Sequence, residues 1–194
     1  NPITYNGMKI VKSGSQPLDD TADVQVIKAL AGSQDWSSSA EIGKELDRSA
    51  EARTAYVDRV LSFVDVKALR PLKIVVNSGN GAAGPTFDAI EERLLEIGAP
   101  MEFIRVHHAA DATFPNGIPN PLLSENYSVT ADVVKAEKAD FGVAFDGDFA
   151  RSFFYGDACQ FVPSEYVGGL LASIFLEKEA GAQIVHDPRV IWNT

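Results

Sequence analysis

The chain has 194 residues, of which 45% are hydrophobic and 23% charged, with a formal net charge of -10. That length suits one domain, or one domain with pieces of its neighbours, and the apolar share supports a sizeable core. Such an acidic surface repels nucleic acid and anionic membranes, and the single cysteine, Cys159, excludes an internal disulfide.

The first readable element is a Tyr5-Asn6-Gly7 turn leading into a short alternating strand, Met8 to Val11. Residues 13–22 read as a polar loop, with Asp20 or Thr21 placed to cap a helix over roughly 22–31, where Val24, Ile27 and Leu30 recur at helical spacing. The stretch 32–39 reads as a loop and insertion, and a helix is expected over 50–63. Leu69, Arg70 and Pro71 then form a linker.

Beyond residue 71 the pattern changes. Leu72 to Val76 is a β-branched strand that runs into the glycine-rich stretch 77–85, followed by a helix over about 86–97 that stops at Gly98, and then a strand over 101–106. A strand, loop, helix and strand in this order give a parallel pair joined by a crossover. Residues 108–126, rich in Pro and Asn, read as an irregular surface loop. A helix over 129–138 precedes the strand 141–145. A strand over 151–155, a turn at Gly156-Asp157, a short strand over 160–162, a helix over 164–179 and a strand over 183–186 complete the expected order.

Three places could carry chemistry. Asp146-Gly147-Asp148 directly follows the buried strand FGVAF, where open α/β folds place their ligands. Two carboxylates separated by one glycine can share a hard cation such as Mg²⁺, with Gly147 allowing the bend, and Arg151 nearby suits a phosphate. The ordinary alternative is a solvated acidic turn. Second, Gly79-Asn80-Gly81-Ala82-Ala83-Gly84 matches the G-x-G-x-x-G spacing of a dinucleotide loop, but the next strand ends in His107-His108, with no acidic residue for a ribose. A purely structural glycine turn is the competing reading. Third, Lys9 starts a strand after a turn, although surface lysines there are common. His107 and His108 are adjacent, so in a strand they face opposite ways and do not share a metal easily. His186 stands at another strand end.

Read together, these segments resemble one family. Asn1-Pro2 with Tyr5-Asn6-Gly7-Met8-Lys9 is similar to the active-site segment of the α-D-phosphohexomutases. Asn77 to Gly84 resembles the opening strand and loop of that family's second domain. Phe114-Pro115-Asn116-Gly117-Ile118-Pro119-Asn120-Pro121 resembles its Phe-Pro-Asn loop, and Asp146-Gly147-Asp148-Phe149-Ala150-Arg151 its metal loop. His186-Asp187-Pro188-Arg189 with Trp192-Asn193-Thr194 looks like the opening of its third domain in the bacterial phosphomannomutase branch.

The resemblance implies an α/β fold: a mixed, largely parallel sheet flanked by helices, plus the C-terminal part of a similar first domain. The division expected is 1–69 for the end of domain 1 and a linker, 70–182 for domain 2, and 183–194 for the start of domain 3. It implies phosphoryl transfer between C6 and C1 of a hexose phosphate through a phosphoserine and a hexose bisphosphate. Asp146 and Asp148 would bind Mg²⁺, Arg151 would hold the phosphoryl group, Lys9 would be general acid or base, and Asn1 would contribute to substrate binding. Two departures stand out. The serine that precedes Asn1 in the family pattern is not in the chain, and the third metal aspartate is Ala150, so weakened metal binding is expected. Asn1-Pro2 at the start and Trp192-Asn193-Thr194 at the end lead us to expect a piece of a longer chain, inactive alone. Hexose phosphates are the expected partners and the cytoplasm the expected location. A non-catalytic phosphosugar-binding paralogue, a phosphoglucomutase and an unrelated nucleotide-binding module are the alternatives.

Overall fold

The structure is a computed structural model, and it describes residues 10–34 and 43–186. The chain divides into two compact units, residues 1–48 and 49–194.

In the first unit β1 (Val11–Lys12) and β2 (Gln16–Pro17) form an antiparallel hairpin, followed by α1 (Asp23–Ser33), none of whose residues is buried. The turn before α1 is held by Asp19, not by Asp20 or Thr21. Its Oδ1 accepts from the backbone amides of Thr21 and Ala22 and from the Thr21 hydroxyl. A carboxylate two or three residues ahead of free amides satisfies donors that a helix start leaves open. The expected strand over 8–11 survives as Val11 alone within the described residues, and the start of the expected insertion at 32–39 falls on the end of α1.

In the second unit α2 (Ser49–Leu61) leads through a short 3₁₀ turn to β3 (Leu72–Asn77). Then come α3 (Ala83–Glu96), β4 (Met101–Val106), α4 (Tyr127–Glu137), β5 (Phe141–Phe145), β6 (Ser152–Tyr155), β7 (Phe161–Val162) and α5 (Ser164–Lys178). The sheet order is β4-β3-β5-β6-β7. Both neighbours of β3 run parallel to it, while β5–β6 and β6–β7 are antiparallel. The sheet is thus mixed and flanked by helices, as the resemblance implies.

Period-two alternation decides which helix covers which face. Ile74, Val76 and Val143 point to the face covered by Phe87 of α3. Val75, Ala144 and Tyr155 point to the other face, under Val134 of α4. Both faces are buried, so β3 and β5 read as continuous apolar runs. The expected strand over 183–186 does not form. Strand structure needs a neighbour's hydrogen bonds, and no described strand pairs with these residues.

Candidate functional site

Parallel strands bring their carboxyl ends to one edge of a sheet. β3, β4 and β5 therefore deliver the glycine loop, His107-His108 and the acidic loop to the same edge. The acidic loop, Asp146 to Arg151, joins β5 to β6 and is closed by a bond from the Asp146 amide to the Arg151 carbonyl, 3.3 Å. Asp146 is only 3% exposed, and its carboxylate organises the turn. Oδ1 accepts from the amides of Ala150 (2.9 Å) and Arg151 (2.8 Å). Oδ2 accepts from Arg151 Nε at 2.7 Å. Burial pushes the Asp146 pKa up, but the Arg151 amide and guanidinium, with the Ala150 amide, outweigh it and hold the carboxyl below its ordinary range.

The loop bends at Phe149, not at Gly147. Phe149 sits at φ 61°, its amide donates to the Asp146 carbonyl, and its ring meets Phe145 edge-on at 4.7 Å. A non-glycine residue there is strained, and the aromatic contact offsets part of that cost. The glycine that matters is Gly81: a Cβ there would lie 2.6 Å from the Gly147 carbonyl oxygen.

The glycine loop is spent on structure. Four successive amides donate inward: Gly79 to Asn77 Oδ1, Asn80 to the His107 carbonyl, Gly81 to the Ser78 carbonyl and Ala82 to the Gly147 carbonyl. A phosphate cradle needs those amides free, so the loop serves as a brace for the acidic turn. Asn80 locks it further, donating to the Ala109 carbonyl and accepting from Asn116 Nδ2, both at 2.8 Å. Pro119 covers Gly79 and, with Phe114, packs beside Gly147, so the Phe-Pro-Asn loop clamps both turns.

Sequence reading missed these asparagines. Their signal was a short amide side chain beside glycine, a residue type that tolerates φ > 0 and bonds local backbone. It also missed the partners of His108, which faces Asp88 Oδ1 at 2.8 Å and Ser78 Oγ at 3.5 Å. Ser78 is fully buried, so this chain of groups ties β3 to α3 and β4 and exposes no nucleophile.

Asp146, Asp148 and Arg151 thus share one loop, with Ala150 between them. Asp148 and Arg151 are exposed, and Asp148 has no hydrogen bond or ion pair with another described residue. Lys9 and Asn1 lie outside the described residues, as do Asp187 to Thr194. Among the described residues no group of three acidic, His or Cys side chains converges on a point. Mg²⁺ is commonly held by one or two carboxylates, with waters and phosphate oxygens filling its octahedron. The exposed Asp148, together with the lone pairs that Asp146 retains, could supply such a two-carboxylate set, and Ala150 supplies no oxygen from its side chain.

Comparison with known proteins matches residues 54–158 to the family model described as phosphoglucomutase/phosphomannomutase, alpha/beta/alpha domain II. Over all 194 residues the chain is 49% identical to a phosphomannomutase of Salmonella montevideo and 48% identical to one of Escherichia coli K12, covering 42% of each. It is 44% identical to a phosphohexose mutase of Xanthomonas campestris, again over 42% of that protein. The chain therefore spans less than half the length of these relatives. Among solved structures, a phosphoglucomutase/phosphomannomutase family protein of Burkholderia thailandensis matches with a TM-score of 0.70 and 27% identity, over 85% of this chain and 33% of that one. A Thermus thermophilus putative phosphomannomutase, at TM-score 0.56 and 24% identity over 66% of this chain and 29% of that one, shares the fold. No described helix is long and apolar enough to cross a membrane.

Proposed function

Because the chain belongs to the phosphoglucomutase/phosphomannomutase family, we propose that it carries the acidic loop of a phosphomannomutase that interconverts mannose 6-phosphate and mannose 1-phosphate. The observation that carries this reading is the 49% identity to a phosphomannomutase along the whole chain. On this reading a phosphoserine from a segment outside these 194 residues exchanges its phosphoryl group with the sugar through a hexose bisphosphate. Arg151 has its Nε committed to Asp146 and more than half of its side chain exposed, which leaves the outer guanidinium nitrogens to grip a phosphoryl group. Lys9 moves the proton of the sugar hydroxyl, and Asn1 contacts the substrate. Asp146 and Asp148 hold Mg²⁺, which when bound neutralises charge on the transferring group. The division into 1–69, 70–182 and 183–194 is part of this proposal, as are a cytoplasmic location and the inactivity of the isolated chain.

One observation favours a second reading. The carboxylate-free Ala150 between two functional positions suits a paralogue that binds phosphosugar without turnover. A full-length version assayed side by side with mannose 1-phosphate and glucose 1-phosphate separates the possibilities. Preference for the mannose ester supports the phosphomannomutase, and preference for the glucose ester a phosphoglucomutase. Phosphosugar binding without turnover supports the paralogue. Ala150→Asp is expected to raise Mg²⁺ affinity at least tenfold by calorimetry, and unchanged affinity would refute the metal assignment.

A further inference from the structure

We infer that a small cavity at the carboxyl ends of β3 and β5 is the seat of a buried, ordered water held by Tyr155 and Thr130. The cavity has a volume of about 30 Å³, opens to solvent beside the exposed Ile118, and is walled by Asn77, Phe145, Pro119, Thr130 and Tyr155. Tyr155 is 1% exposed, and its hydroxyl is buried without a partner at hydrogen-bond geometry among the described residues. Thr130, fully buried, accepts at Oγ1 from Asn77 Nδ2 at 3.0 Å, and its hydroxyl stands beside that of Tyr155. The unmet Tyr155 hydroxyl and the Thr130 hydroxyl beside it therefore face one small space.

A single water needs about 10–15 Å³ and two to four polar partners, and buried polar sites of that kind are filled, while apolar ones stay dry. The cavity is large enough for one water, with room for a second. The water bonds the Tyr155 hydroxyl and removes the cost of an orphaned phenol. Burial, with Tyr127 nearby, pushes the Tyr155 pKa up to about 12, and Thr130 draws it back slightly. The phenol thus stays neutral and keeps its proton to donate. Asn77 extends the chain of bonds to the Gly79 amide, and Phe145 is the residue before Asp146. The water lies under both turns of the candidate site, against Gly79 and Phe145.

The test uses the 194-residue chain and its Tyr155→Phe variant. Water-to-protein NMR cross-peaks are expected at Thr130 and its neighbours in the wild type, with the sign of a long-lived water, and are expected to vanish in the variant. The variant should also unfold at a lower urea concentration, because the bond between Tyr155 and the water is lost with the water itself. Absence of the cross-peaks in the wild type, their survival in the variant, or a higher midpoint for the variant would each overturn the inference. A higher midpoint is the signature of a dry, unpaired hydroxyl.

Discussion

At the scale of single residues the acidic loop is a buried charge problem with a local solution. Asp146 gives up its hydration and receives three N–H donors in return. Its lowered pKa fixes the sign of the pH dependence. The stabilisation is fully present above the ordinary carboxylate value of about 4, and it is lost as pH falls through the lower folded-state value. Asp146→Asn, which keeps an acceptor for the amides and loses the ion pair, should cost roughly 1–3 kcal/mol at pH 7. Urea midpoints of wild type and variant should converge on acidification below pH ~4. A gap that persists at low pH would show that the carboxylate charge is not the source. Ala150 shows how a departure can be tolerated. It contributes its backbone amide to Asp146, a bond that any residue but proline can make, so the turn does not depend on the side chain that stands there.

At the scale of elements, the site depends on two loops packed backbone to backbone. Gly81→Ala places a methyl 2.6 Å from the Gly147 carbonyl, and no side chain rotation relieves a backbone clash. The expected cost is about 1–3 kcal/mol, with loss of the Ala82–Gly147 bond visible as faster hydrogen exchange at Ala82. Strands and helices here were legible because each announces itself within its own residues: the apolar run before Asn77, the helical spacing through α3, the aspartates after FGVAF. What escaped the sequence is pairwise and distant. Asn80 meets Asn116, Ser78 meets His108, and Gly81 meets Gly147, and spacing along a chain carries no record of such partners. The bend at Phe149 escaped for the opposite reason, since local rules assign a sharp turn to the adjacent glycine. The failed strand at 183–186 had the right residues and no neighbour.

At the scale of the whole molecule, apolar cover is uneven. β3 and β5 are buried on both faces, whereas α5 has no buried residue. Leu170 is 61% and Phe175 54% exposed. A helix of this length gains little from backbone bonding alone, since isolated helices of about 12–15 residues are marginal in water. Resistance to opening is therefore graded along the chain. Amide protons of α5 should exchange with D₂O orders of magnitude faster than those of Val75 and Val76, and a protease that tolerates apolar sites should nick the chain there first. Equal protection in both places would show that α5 is sheltered in solution. If the gradient holds, digestion should whittle the molecule back to the sheet and the two helices that clasp it, leaving the acidic turn intact on the surviving core.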